Sequence, residues 1–512
     1  MGKLMILRLF YKHLPMYYLL KLFPEITIKS RSVRRQMTRC LVGNVRNVLR
    51  PLGEGFRVQG GWDALHVKLP ETATPALRRQ VETTLACIPG IHEVQSVDEL
   101  PLLSFDDTAR HLLAAWQESL AGHSFRVTVK RRGHHAFTSE EMERHLGQAL
   151  LDAVPSARVN LGRPDIEVRV DVIDNHLRLV RHRWPGLGGY PLGVQGQAMT
   201  LVSGGFDSPV AAWKMIRRGI KTHFLFFDLG GAGHEQAVRE VCHHLWQSYG
   251  RSHRVHFFSV PFEGVVAELQ RSIPDGLIGV VLKRMMLRAS NRIAARARIP
   301  ILVTGDAIAQ VSSQSLTNLA LIDEASDLPI LRPLVVEDKQ DIIDTARRIG
   351  TARFAELMPE VCGAISQRPN TQAQRHRVVA AEQRFDFSVL DTAIERVSMT
   401  RSERLLEQVT ADMKTSEPVP ALHIVQSAQE LAREKNVSVI DIRPPTERES
   451  TPLTLARVEC LQIPFYELQA QADSLPGDRR YLLYCDQGVM SRMQVMHLLD
   501  RGLNHFGIYR GT

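Results

Sequence analysis

The chain has 512 residues, 44% of them hydrophobic and 23% charged, with 64 Lys+Arg against 55 Asp+Glu for a formal net charge of +9. At about 150 residues per domain, this length predicts three to four domains, each with its own core. The composition excludes wholesale disorder, and so mild a surplus permits an anionic partner without requiring one.

The apolar N-terminal stretch is interrupted by Arg8, Lys12, His13 and Lys21, which leaves neither a membrane span nor a signal-peptide core. Strands and helices alternate over 16–75, broken at Pro51, Gly53, Gly60 and Gly61. From Lys29 to Arg50 there are seven basic residues and no acidic one. Arg31, Arg35 and Arg39 follow i, i+4 spacing and share one helix face. Helices are expected at 76–87, 106–120 and 139–151, and strands at 125–130, 166–172 and 177–181, together a compact α/β module. Lys130, Arg131 and Arg132 close the strand at 125–130. Either basic cluster alone reads as a solvated surface, but two before residue 135 point to contact with a phosphate backbone.

A glycine- and proline-rich stretch, Pro185 to Gly196, marks a domain boundary. From 198 to about 350, apolar strands alternate with helices, the pattern of a parallel sheet. Polar stretches at 366–378 and 410–421 read as linkers, and a last βα pattern runs from 422 to the end. The six cysteines (Cys40, Cys87, Cys242, Cys362, Cys460 and Cys485) come no closer than 25 positions, so no CxxC pair offers a zinc or iron–sulfur clamp. No metal site is expected among them, and a reducing cytoplasm is the expected compartment.

The strand Met199–Val202 runs into Ser203, Gly204, Gly205, Phe206, Asp207 and Ser208, and a helix follows from Pro209. Two glycines allow close backbone approach, two hydroxyls add donors, and the helix N-terminus adds a positive dipole. Together they make a seat for pyrophosphate. The Walker A spacing is absent, which disfavours ordinary γ-phosphate transfer. The six-residue run resembles the PP-loop of the ATP pyrophosphatases, which cleave between the α- and β-phosphates and adenylate a carbonyl-type oxygen. The resemblance makes Asp207 a Mg²⁺-associated acid, and a helix-capping role is compatible with that.

Cys485 ends a short apolar strand and enters a tight loop before a helix, where N–H donors and the dipole favour a thiolate. Upstream, Asp441 and Arg443 on an apolar strand, with Glu447 after them, resemble rhodanese domains, which carry sulfur as a cysteine persulfide. Six residues separate Cys485 from Arg492, whereas tyrosine phosphatases need five. Cys362 lies in a breaker-flanked loop. Core packing is the better reading for Cys40, Cys87, Cys242 and Cys460.

Taken together, Leu22–Ser30, Gly43–Leu49, Ile88–His92, Val129–Gly133, the loop at 203–208, Leu282–Met286, Gln310–Gln314, Pro359–Gly363 and Cys485–Arg492 form an ordered series. In that order the chain resembles, from about Met16 onward, the bacterial tRNA 4-thiouridine synthases of the thiamine-biosynthesis sulfurtransferase family that carry a rhodanese extension. The resemblance makes Met16 a candidate initiator.

It implies an α/β multidomain protein: a ferredoxin-like domain at 16–76, a THUMP RNA-binding domain at 77–184, and a Rossmann-like PP-loop ATPase with a parallel sheet at 185–395. A linker at 396–420 and a rhodanese domain at 421–512 complete it. ATP contacts carry over to Leu201, Val202, Ser203, Gly204, Gly205, Asp207, Ser208, Lys283, Gly305 and Gln314, with Mg²⁺ as cofactor. Lys283 suits phosphate neutralisation, although Lys283 and Arg284 could face RNA instead. The implied reaction is thiolation of uridine 8 in tRNA, with sulfur carried on Cys485 and resolved by Cys362. Implied partners are tRNA, a cysteine desulfurase, a thiamine-pathway sulfur carrier protein and a thiol reductant; no membrane partner is expected, and a homodimer is compatible. Alternatives are thiolation of a different tRNA position, or a non-catalytic ATP-sensing RNA-binding protein.

Overall fold

Alternating apolar and polar side chains set the first sheet. In the segment Ile166–Ile173, Val168, Val170 and Val172 are fully buried while Glu167, Arg169 and Asp171 take the other face. The computed structural model describes residues 17–229, 232–356, 369–407, 422–443, 445–455, 458–485 and 489–511. Two units divide the chain: the first runs to Gln195 and adds Arg217–Gly219 and Arg251–His253; the second holds the rest.

The first unit opens with β1 (Tyr17–Leu22), α1 (Arg31–Leu49), β2 (Arg57–Gly60), β3 (Ala64–Lys68), α2 (Pro75–Ala86) and β4 (Ile91–Pro101). Strand β1 lies antiparallel between β3 and β4, with β2 outside β3. This βαββαβ order is ferredoxin-like. Leu41 and Val45 of α1 and Val81 and Leu85 of α2 pack on Tyr18, Leu20, Val67 and Val94. The chain continues through α3 (Phe105–Leu120), β5 (Ser124–Arg132), α4 (Ser139–Ala153), β6 (Arg158–Val159), β7 (Ile166–Ile173) and β8 (His176–Pro185).

Strand β4 also pairs with β8, so one eight-stranded sheet runs in the order β2-β3-β1-β4-β8-β7-β5-β6. The expected module boundary at 76/77 therefore needs correction. It falls inside α2, whose apolar face and following strand belong to the first core.

The second unit begins with β9 (Gln197–Val202), α5 (Asp207–Arg217), β10 (Lys221–Asp228), α6 (Ala232–Leu245), β11 (His256–Pro261), α7 (Asp275–Ala297), β12 (Leu302–Val303), β13 (Ile330–Leu331), α8 (Lys339–Arg348) and β14 (Ser398–Arg401). The sheet order is β13-β12-β9-β10-β11-β14, parallel except for β14. Two linker assignments are corrected here. Residues 398–401, placed in the linker at 396–420, are the antiparallel edge strand, pairing His256 with Arg401 and Ser259 with Ser398. Within 366–378, Ala373 and Val378 are buried in the core. Residues 408–420 of the expected linker lie outside the described residues.

A second sheet in this unit comprises β15 (Ile424–Val425), β16 (Val437–Asp441), β17 (Glu459–Gln462), β18 (Arg480–Tyr484) and, after α9 (Val489–Asp500), β19 (Phe506–Tyr509). Its order is β15-β19-β18-β16-β17, with every pair parallel. Among the described residues no helix is long and apolar enough to cross a membrane.

Candidate functional site: a phosphate seat at the strand ends

Strand β9 is the inner strand from which the site grows. Flanked by β10 and β12, with Ala198 and Met199 wholly buried, it delivers the turn 203–208 to the C-terminal edge of the sheet, where open α/β sheets bind ligands. The turn is closed by its own side chains. The Ser203 N–H donates to Ser208 Oγ at 2.8 Å, and Ser208 Oγ donates to the Ser203 carbonyl at 3.2 Å. Helix α5 starts at Asp207, two residues before the expected Pro209, so its free N–H groups point into the turn.

Gly305, just past β12, packs against the loop. A Cβ there would lie 2.8 Å from the Ser208 nitrogen and 2.9 Å from the Asp207 carbonyl carbon, so only glycine fits. The next residue, Asp306, is buried and is the hub of the site. Its Oδ1 accepts from Lys283 Nζ at 2.7 Å and Gln314 Nε2 at 3.2 Å. Its Oδ2 accepts from Thr304 Oγ1 at 2.7 Å and Arg332 Nε at 3.4 Å. Burial alone would raise this carboxyl. The Lys283 ammonium, the hydrogen bonds from Lys283 and Thr304, and Arg332 outweigh it and hold the group well below the usual carboxylate range. Arg332 also forks onto Asp323. Across the loop, Lys339, the first residue of α8, grips Asp207 and reaches Gln310 Oε1 at 3.3 Å.

The expected ATP residues Ser203, Gly204, Gly205, Asp207, Ser208, Lys283, Gly305 and Gln314 thus gather around one turn, with Leu201 and the buried Val202 in the strand beneath. Asp306, Arg332 and Lys339 join them, and no motif in the sequence marks these three. Arg284 is no RNA contact: it is buried, with Nε 2.6 Å from Glu382 Oε1 and Nη2 3.1 Å from Oε2.

In the first unit, Arg31, Arg35 and Arg39 are exposed along α1, while Arg34 turns inward to Asp63 and stacks 4.2 Å from the Trp62 ring centroid. Lys130 and Arg132 line a cavity of about 400 Å³ on the sheet face turned away from the helix-packed cores, with Lys21, Arg169 and Arg178 also on its wall. Lys21 is half-buried there, and burial pulls its ammonium below the usual lysine range. Arg131 differs from its neighbours. It hydrogen-bonds the Phe137 carbonyl and Ser139 Oγ and lies over the Phe137 ring, fixing the approach to α4.

Cys485 follows β18 directly and is 9% exposed; the Ser491 N–H donates to its Sγ at 3.3 Å. Asp441 and Arg443, both buried, form a side-chain pair with Nε–Oδ1 at 2.9 Å and Nη2–Oδ2 at 2.7 Å, and Arg443 lies over the Tyr484 ring. Cys362 lies outside the described residues. Burial pushes the thiols of Cys40, Cys87, Cys242 and Cys460 upward, in keeping with packing roles.

Family models match three stretches: the ThiI ferredoxin-like domain at 18–94, the THUMP domain at 105–180, and the thiamine biosynthesis protein (ThiI) at 193–387. The tRNA sulfurtransferase of Edwardsiella ictaluri is 45% identical over 495 residues, which cover 97% of this chain and all of the relative. That of Pseudomonas aeruginosa is 47% identical with the same coverage. The chain belongs to the tRNA sulfurtransferase family.

Among solved structures, a 4-thiouridine synthetase–RNA complex with bound ATP matches with a TM-score of 0.67 at 24% identity, covering 76% of this chain and 99% of that one. PH1313 from Pyrococcus horikoshii matches with a TM-score of 0.51 at 17% identity, covering 65% of this chain and 99% of that one. For this member of the tRNA sulfurtransferase family, the matches bear out the ferredoxin-like, THUMP and PP-loop architecture read from the sequence.

Proposed function

We propose that this enzyme thiolates uridine 8 of tRNA to 4-thiouridine at the expense of ATP. The observation that carries the reading is the phosphate seat at Ser203–Ser208, flanked by Lys283 and Lys339 at the open edge of a parallel sheet. The solved relative of this fold holds both RNA and ATP, in keeping with such a site.

In this reading ATP sits with its phosphates on the turn, and the uracil O4 attacks the α-phosphate, releasing pyrophosphate. Adenylation converts a poor leaving group into AMP. Lys283 and the loop N–H groups take the charge that develops on the phosphates. Mg²⁺ would be held by the Asp207 carboxylate, the one acidic group on the turn, and would supply charge neutralisation for the leaving pyrophosphate. Asp207 would pass from Lys339 to the ion, which leaves the Lys339 ammonium free to face the phosphates.

Sulfur comes as a persulfide on Cys485, loaded by a cysteine desulfurase. The all-parallel sheet β15–β19 is read as the rhodanese module, and the Ser491 N–H beside Sγ suits a sulfur anion. Either the terminal sulfur attacks C4 and expels AMP, after which Cys362 attacks Sγ of Cys485 and frees the 4-thiouridine sulfur, or Cys362 attacks Sγ first and the hydrosulfide set free displaces AMP from C4. Both routes leave a Cys362–Cys485 disulfide, which a thiol reductant reopens by exchange. The same persulfide would serve a sulfur carrier protein in thiazole synthesis. RNA is held by Arg31, Arg35, Arg39, Lys130 and Arg132 of the first unit.

The test is nucleoside analysis of tRNA from a deletion strain, complemented with wild type or Cys485→Ala. Wild type alone should restore 4-thiouridine. Undiminished 4-thiouridine in the deletion strain would end the proposal.

A further inference from the structure

Asp306 divides its two oxygens between scaffold and site. Oδ2 is tied to Thr304 and Arg332, which anchor the carboxylate plane; Oδ1 is left to Lys283 and Gln314. A carboxylate only accepts hydrogen bonds, so the Gln314 amide must turn its NH₂ toward Asp306. Its other end is thereby fixed. Gln314 is 8% exposed, and its Oε1 is buried without a hydrogen-bond partner. A buried acceptor left empty is costly, and it suits an incoming donor. Phosphate oxygens cannot fill it, because they only accept. Lys283, by contrast, spends one of its three N–H donors on Oδ1 and keeps the others for an anion.

We propose that Asp306 is a positioning residue that sets Lys283 as the phosphate donor and Gln314 as the acceptor for an N–H or O–H group of the nucleotide. This rests on the ATP reading above. The donor on the ligand is either the 6-amino group of the base or a ribose hydroxyl, and Gln314 reads it because Asp306 forbids the amide to flip. Asp306 itself touches no substrate. A neutral residue at 306 would free the amide to present either end and would release Lys283 from its ion pair.

The experiment measures pyrophosphate release by the full-length protein with tRNA, using ATP, purine-riboside triphosphate, 2′-deoxy-ATP and 3′-deoxy-ATP. Wild type should prefer ATP by about ten- to a hundredfold in kcat/KM over the analogue that lacks the recognised donor. Asp306→Asn should flatten that preference and raise KM for ATP; Asp306→Glu, which keeps the charge, should retain the preference. Gln314→Met removes the acceptor, leaves Asp306 its bonds to Lys283, Thr304 and Arg332, and should flatten the preference too, which keeps the test open if Asp306→Asn does not fold. Equal use of all four nucleotides by wild type would overturn the proposal, as would a preference intact in Asp306→Asn or in Gln314→Met. A wild-type protein that releases no pyrophosphate from ATP would instead overturn the ATP reading on which the proposal rests.

Discussion

Lys339 holds Asp207 by both carboxylate oxygens, at 2.9 and 3.0 Å, although 132 positions separate them in the chain. The pair closes the phosphate turn from the α8 side. It is partly exposed, so its direct worth to stability is at most about 1 kcal/mol. Lys339→Met should therefore leave the melting temperature nearly unchanged while lowering kcat for pyrophosphate release by about a hundredfold. Calorimetry and a pyrophosphate assay on the same preparation separate the two effects.

Gly305→Ala tests the wedge behind the turn. The added methyl would meet the backbone at Ser208 and Asp207, which cannot yield without opening the seat. ATP binding by calorimetric titration should become undetectable while circular dichroism stays that of wild type. Normal ATP affinity in this variant would show that the seat lies elsewhere.

The three consecutive basic residues of β5 should behave differently. Lys130→Ala or Arg132→Ala should weaken tRNA binding and reduce its salt slope by about 1 each. Arg131→Ala should leave the slope unchanged and lower stability instead, since its guanidinium ties β5 to Phe137 and Ser139. Filter binding from 50 to 200 mM salt distinguishes the two behaviours.

His223 on β10 gives the second unit a pH dependence. Its Nδ1 accepts the His256 N–H at 3.1 Å, and burial, aided by Lys221 and His256, pushes its pKa down to about 3. The unfolded imidazole binds a proton near pH 6.5 and the folded one does not. Its stabilising contribution is therefore complete above pH 6.5 and is lost as pH falls toward 3. By pH 5 the loss should be about 2 kcal/mol. In urea unfolding, His223→Asn, which keeps an acceptor near Nδ1, should lack this dependence.

The loop at 203–208 was legible because its parts are contiguous: strand, two glycines, two hydroxyls and a helix lie within a dozen residues. Alternation likewise made β5 and β7 readable. What the sequence hid were partners brought together across the sheet. Lys339 sits in an ordinary charged helix start, and nothing local marks it. Asp306 follows a glycine already singled out, yet its four partners come from Lys283, Thr304, Gln314 and Arg332, scattered over nearly 50 positions. Strand β14 reads as linker because its four residues carry only one apolar side chain, Met399; edge pairing with β11 rather than burial gives it its form. The basic triplet at 130–132 looked uniform because residue type does not reveal that alternate side chains leave a strand on opposite faces.

Strand β4 spans Ile91–Pro101, whereas the two N-terminal family matches stop at 94 and resume at 105. Most of the strand that joins the two halves thus falls in the gap between inherited modules. It hydrogen-bonds to β1 on one side and β8 on the other, so the two halves share one piece of backbone and cannot swivel as beads on a string. Cutting the gene at either module edge would bare a long strand edge, an invitation to aggregate. Two family modules thus share, mechanically, one beam.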